Sequence, residues 1–200
     1  MAARRRSWPR AVLRFLAAVM MVSGALLVAD AVLTLTWQEP ISAIVAQRNQ
    51  ADLEQALADP PRRVIERRPL PGDAVAKLEI PAIGLSEYIV EGTETGDLRK
   101  GPGHYPETPL PGERGTSAIA GHRTTYGAPF RELDDLDPGD RIAVELPGER
   151  IAYRVERVGI VDDSDRSVLR AVGHDRLVLT ACHPLYSAEQ RIVVFARELR

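Results

Sequence analysis

The stretch RLVLTACHPLYSAEQRIVVFA, residues 176–196, decides the fold. It holds two short runs of β-favouring residues, LVLTAC and RIVVFA, separated by a loop that opens on His183-Pro184. Runs of this length, rich in Val, Leu and Ile and bounded by turn residues, read as strands, here Arg176 to Cys182 and Arg191 to Ala196. Proline has no N–H to give a ladder, so regular pairing stops just after Cys182. If the second run folds back antiparallel across Pro184 to Gln190, Cys182 and Arg191 come to the same end of the pair.

Working outward, the same pattern recurs at Ala74 to Ile80, Glu87 to Glu91, Thr116 to Gly121, Arg141 to Leu146 and Ile151 to Val161. Pro147-Gly148-Glu149 links two runs as a hairpin, and DDLDPGD (134–140) is a turn. Fifteen Pro and fifteen Gly are too many for a helical bundle. Seven or eight short strands make an all-β domain, either a closed barrel or a sandwich. With 44% hydrophobic and 27% charged residues, the chain can bury a core. Its single cysteine excludes an internal disulfide and any multi-thiolate metal site.

Before this domain, Phe15 to Trp37 carries one charge, Asp30, and follows five arginines at positions 4, 5, 6, 10 and 14. As a helix, these residues at about 1.5 Å each span roughly 34 Å, enough for a hydrocarbon core of about 30 Å. The arginines put the N-terminus in the cytoplasm and the rest outside, with Trp37 at the interface. A cleavable signal peptide is the competing reading, with Ala29-Asp30-Ala31 resembling a cleavage site, but the apolar run continues beyond it. Residues 1–14 then form a basic cytoplasmic tail, 15–37 an anchor, 38–72 an external helix and linker, and 73–200 the main domain. Ile41, Ile44, Val45, Leu53 and Leu57 fall at helical spacing, and Pro60-Pro61 stops the pattern. PPRRVIERRPLPG (60–72) reads as an extended spacer.

The net charge of −2 conceals an asymmetry. Residues 1–72 hold ten arginines and six acids, whereas the remainder holds sixteen bases and twenty-two acids. An acidic main domain excludes nucleic acid as a natural partner, because phosphate binding needs clustered positive charge.

An unpaired thiol in an exported protein risks oxidation and wrong pairing, which favours a purpose for Cys182 over a place in the core. His122, which closes the strand TSAIAG and opens the loop HRTTYGAPF, is the best acid/base partner. His183 adjoins the cysteine, but neighbours on a strand face opposite ways. His104 and His174 look like loop histidines. No pair has metal-ligand spacing, so neither metal nor cofactor is expected. Arg191 carries a permanent, multi-donor charge suited to an oxyanion beside a thiolate. No carboxylate is clearly placed to orient His122, so the set is Cys-His-Arg.

These residues lie in segments that resemble the sortase family. LTAC (179–182) is similar to the family's TLxTC active-site signature and AGHRTTYGAPF (120–130) to its histidine segment. IPAIGLSEYIVEGT (80–93), LRKGPGHYPETPLPGERGTSAIAGHR (98–123) and CHPLYSAEQRIVV (182–194) continue the resemblance in order. Tyr126 and His183-Pro184 look most like class E, the actinobacterial housekeeping type. Ala181 and Val178 depart from the signature without removing a reactive group.

The resemblance implies an eight-stranded β-barrel and a membrane-anchored cysteine transpeptidase. Cys182 takes the nucleophile's place, His122 the acid/base's and Arg191 that of the substrate- and oxyanion-holding arginine, while Tyr126, Thr180 and Thr124 contact substrate. It further implies cleavage of an LPXTG or LAXTG sorting signal between Thr and Gly, with transfer to an amine of lipid II or of another acceptor, and Tyr126 linked to Ala at the second signal position. Two alternatives stay open. An exported cysteine peptidase would use the same residues with water as acceptor, and a non-catalytic β module would keep Cys182 in its core. An L,D-transpeptidase would need an SHGC-like motif, which is absent.

Overall fold

A computed structural model describes residues 8–36 and 40–199, with the backbone alone at 8–9, 34–36 and 40–41. Arg4, Arg5, Arg6 and Trp37, used above to orient the N-terminal span, lie outside the described residues. The chain divides into two compact units, Met1–Pro40 and Ile41–Arg200.

The first unit is the helix α1 (Trp8–Thr36). Its segment Arg10–Leu33, 24 residues at a mean hydropathy of 2.2, is long and apolar enough to cross a membrane. Every side chain in that segment is exposed. A helix whose described side chains are apolar on every side has a composition suited to lipid.

The second unit is built on a closed barrel of eight strands: β1 (Ala74–Ile80), β2 (Leu85–Glu91), β3 (Gly103–His104), β4 (Thr116–Ala120), β5 (Arg141–Leu146), β6 (Glu149–Asp162), β7 (Arg176–His183) and β8 (Gln190–Leu199). They pair in the order β1-β2-β3-β4-β7-β8-β6-β5, and β5 returns to β1, leaving no open edge. The β2–β3 and β4–β7 pairs are parallel, and the other six are antiparallel. Of the two architectures that strand alternation left open, the barrel is the one formed. Seven strands lie where the apolar runs placed them. The eighth, β3, escaped the reading because two residues between Pro102 and Tyr105 carry no alternation.

Leu78, Ile89, Ile142, Leu177, Leu179 and Val194 fill the barrel interior. A second apolar layer, Ala118, Val178, Val193 and Phe195, lies on the other face of β4, β7 and β8 beneath Val161, Val168 and Leu169. β7 is therefore covered on both faces, which is why LVLTAC reads as a continuous apolar run. Glu87 sits on the inward-facing side of β2 with Leu85 and Ile89, opposite Leu78. Burial pushes its carboxyl up to about 7.

Three α-helices complete the frame: α2 (Pro40–Ala58), which lies in the second unit from Ile41 onward, and the single turns α3 (Arg62–Ile65) and α4 (Thr95–Leu98). Pro40 opens α2, where its missing N–H is no loss. The face of α2 differs from the sequence reading. Ser42, Ala46 and Leu53 are buried, whereas Ile44 and Val45 are about half exposed. Hydrogen bonds explain the difference: Gln50 brackets Tyr88 on β2, accepting from its N–H at 2.6 Å and donating to its carbonyl at 3.0 Å. The segment 60–72 is also not an extended spacer. Val64 is buried, Arg63 pairs with Asp73 at 2.6 Å, and Arg67 pairs with Glu149 and donates to the Pro111 carbonyl.

Candidate active site

Three adjacent strands deliver the candidate residues to one end of the barrel. β4 runs parallel to β7 in constant register, from Thr116 beside Arg176 to Ala120 beside Thr180, and the Gly121 N–H donates to the Thr180 carbonyl at 3.0 Å. Two residues further along stand Cys182, still on β7, and His122, just past the end of β4. β8 returns antiparallel and sets Arg191 directly opposite Cys182. Because β7 alternates, Cys182 shares its face with Val178 and Thr180, outside the barrel interior.

That face is the floor of a groove of about 360 Å³, lined by Cys182, His122, Arg191 and Thr180 together with Tyr105, Val168 and Leu169. Arg191 Nη1 donates to Cys182 Sγ at 3.6 Å and to the carbonyls of Ala188 and Gln190 at 3.1 Å each. Its Nη2 lies 3.7 Å from Asp163 Oδ2 on the opposite wall. The guanidinium is thus fixed by backbone of its own strand and of the loop just before it, and points at the thiol. A fork of this kind presents donors where negative charge develops during attack on a carbonyl.

His122 is half-buried, and its Nε2 has no hydrogen-bond partner among the described residues. Burial lowers its proton affinity, and the charge of Arg99 lowers it further. No carboxylate is bonded to the ring among the described residues; the imidazole instead packs on Tyr126, with centroids 5.2 Å apart. Thr180 lines the groove, its Oγ1 3.2 Å from the Tyr105 hydroxyl. Tyr126 and Thr124 are not part of that lining; they occupy the loop that follows His122.

The other histidines serve elsewhere. His183 faces away from the groove, and its Nδ1 accepts from Arg123 Nη1 at 3.0 Å. Arg123 is itself buried and paired with Asp134. His104 is not in a loop: it forms half of β3, fully buried between Glu91 Oε2 at 2.9 Å and the Pro109 carbonyl at 3.0 Å. His174 pairs at 3.6 Å with Glu156. Among the described residues no group of three His, Cys, Asp or Glu could hold a metal ion.

One residue that shapes the site was missed in the sequence. Arg176, buried on the outer face of β7, donates to Thr116 Oγ1 and to the carbonyls of Val168 and Arg170. It ties down the connection that forms the groove's second wall. The only local signal was a charge at the start of an otherwise apolar strand.

A sortase domain model matches residues 78–199. The chain belongs to the sortase family. Sortases are cysteine transpeptidases, and the closed eight-stranded barrel is that of a sortase. Sortase D of Bacillus subtilis (strain 168) is 34% identical over 137 residues, covering 66% of this chain and 67% of that one. Sortase SrtE1 of Streptomyces coelicolor is 33% identical over 143 residues, 64% of this chain and 41% of that longer protein, so this sortase spans less than half of that relative. Among solved structures, sortase E of Streptomyces avermitilis superposes with a TM-score of 0.61 at 31% identity, covering 66% of this chain and 91% of that one. The sortase D5 transpeptidase of Clostridium perfringens superposes with a TM-score of 0.67 over 78% of this chain and 99% of that one; at 24% identity it speaks for the fold. The sequence relatives include both class D and class E, in keeping with the class E resemblance of the motifs.

Proposed function

We propose that this sortase cleaves an LAXTG- or LPXTG-type signal between Thr and Gly at Cys182 and transfers the acyl fragment to an amine, such as that of lipid II. The observation that carries the proposal is the contact of Arg191 Nη1 with Cys182 Sγ in a groove that His122 also lines. The thiolate of Cys182 attacks the threonine carbonyl carbon, and the C=O electron pair moves to oxygen, where Arg191 stabilises it. As the tetrahedral intermediate collapses, the C–N bond breaks and His122 gives its proton to the departing glycine amine, leaving a thioester. An incoming amine then loses a proton to His122 and forms the new C–N bond, and the thiolate is released. An imidazole can both give and take a proton, which suits the two transfers.

Thr180 forms the floor beside the nucleophile and is proposed to touch the bound signal. We further propose that α1 crosses the membrane with its arginine-rich end in the cytoplasm and the barrel outside, since Arg10 and Arg14 flank only that end. The reading is tested with the full chain in detergent micelles, an LAXTG peptide and a pentaglycine or diaminopimelate-containing amine. Aminolysis product exceeding the free acid is expected. Acid alone, at every amine concentration, would make the enzyme a peptidase.

A further inference from the structure

We propose that Arg99 is a positioning residue for the proton-transfer step, acting through Tyr126 on His122 and held in place by α2. The proposal rests on the assignment of His122 as acid/base. Arg99, which follows α4, lies with its guanidinium carbon 5.5 Å from the centroid of the Tyr126 ring. Tyr126 in turn packs on the imidazole at 5.2 Å, the two planes tilted by 39°. The three side chains form a column from a cation through an aromatic ring to the histidine, and among the described residues the histidine's Nε2 has no hydrogen-bond partner. A ring that no carboxylate orients depends on packing for its aim, and a cation over an aromatic face is a directional contact.

The column needs a fastening, because its middle member stands on an unusual backbone. Tyr126, Gly127 and Ala128 are all left-handed, with φ of 51°, 77° and 45°. Side-chain-bearing residues adopt that region only where their surroundings hold them. α2 supplies the hold. Ser42 Oγ accepts from the Tyr126 N–H at 3.3 Å, and Asn49 Nδ2 donates to the Arg99 carbonyl at 3.0 Å. Gln50 donates to the Lys100 carbonyl at 3.0 Å, and Ala46 packs so close to Gly127 that an added Cβ would lie 3.3 Å away. One helix therefore grips the first two members of the column, Arg99 and Tyr126. This accounts for the small and polar residues on its buried face, where an amphipathic reading expects Ile44 and Val45.

The charge of Arg99 has a second effect, since it disfavours the imidazolium in addition to burial. The other charged groups facing His122 across the groove largely offset one another: Arg191 pairs with Asp163, and Asp165 and Arg166 are of opposite sign on the far wall. Cys182 and the Tyr105 phenol, which sits by Thr180 Oγ1, are the remaining titratable groups lining it, and Arg123, next in the chain, is turned away onto Asp134 and His183.

The test uses the full chain in micelles with R99M, R99Q and H122A variants, steady-state kinetics on an LAXTG peptide, and titration of the His122 ring by NMR. R99M should lower kcat by about tenfold with KM nearly unchanged, a fraction of what general acid–base catalysis supplies. The His122 midpoint should move to higher pH, because the neighbouring cation is gone. R99Q, which keeps a planar polar group on a shorter stem facing Tyr126, should show the same midpoint shift and a smaller loss of kcat. If R99M fails to fold, R99Q decides on the same readouts. A His122 midpoint and kcat indistinguishable from wild type in the folded variant would overturn the proposal. Full activity of H122A would instead overturn the acid/base assignment on which it rests.

Discussion

Arg191 offers the sharpest perturbation of the proposed chemistry. Its Nη1 touches Cys182 Sγ at 3.6 Å while the Ala188 and Gln190 carbonyls, each at 3.1 Å, hold the guanidinium in that position. R191A removes the donor aimed at the developing oxyanion, and loss of one such donor costs about 2.7–4 kcal/mol, or roughly 10²–10³ in kcat. R191K keeps the charge but gives up the fork. An ammonium satisfied by the two carbonyls no longer reaches the sulfur, so about a tenfold to hundredfold loss is expected. D163N removes the other partner, but that pair is 30% and 52% exposed at 3.7 Å, which limits its worth to below about 1 kcal/mol. The assay is cleavage of an LAXTG peptide by the full chain in micelles, with kcat and KM separated and folding checked by circular dichroism. An R191A enzyme within tenfold of wild type in kcat would refute the oxyanion role. D163N as damaging as R191A would refute the claim that β8 and its loop, not the opposite wall, position the guanidinium.

Other consequences follow from burial and close packing. Glu87 is held near 7 against an ordinary 4.5, so the stability its protonated form provides is complete below about 4.5 and is lost as pH rises through 7. Complete burial would put about 3 kcal/mol on that shift, and partial exposure reduces it to roughly 1–2 kcal/mol; E87Q should raise stability by that amount at pH 8 and by almost nothing at pH 4 in urea titrations. G121A would bring a Cβ to 2.5 Å from the Phe130 ring beside His122, so a loss of about 1–3 kcal/mol in stability is expected, with kcat falling in parallel. R176M leaves the Val168 carbonyl unpaired and the Arg170 carbonyl with Thr116 Oγ1 alone, which loosens the groove wall; KM for the peptide should rise severalfold while the acylation rate at saturation is kept, and an unchanged KM would show that the wall does not depend on Arg176.

Much of this was legible in the chain because the barrel strands obey local rules. β1 and β5 begin and end where the apolar and β-branched runs do, and the two-residue turn at Pro147-Gly148 joins β5 to β6 as its composition predicts. The meeting of Cys182 and Arg191 was readable from one short loop, since an antiparallel return fixes which residues face each other. The nearness of His122 rests on a parallel pairing across 60 residues of sequence, and no local pattern encodes that register. The role of α2 was misread for a related reason. Its buried face is chosen in part by hydrogen bonds to distant backbone, at Tyr88, Arg99 and Lys100, so periodicity of apolar residues found Leu53 and Leu57 but wrongly put Ile44 and Val45 beside them. His104 and Arg176 escaped because a buried polar residue is recognised by its partners, and those partners are assembled only by the fold.

The central claim is that Cys182 carries the acyl group. Intact-mass measurement after acid quenching of the full chain with an LAXTG peptide tests it most directly. Wild type should gain the peptide's mass less the glycine-containing fragment, as a thioester removed by hydroxylamine, and C182A should gain nothing. Cleavage of the peptide without such an adduct even on rapid quenching, or an adduct that persists in C182A, would contradict the account.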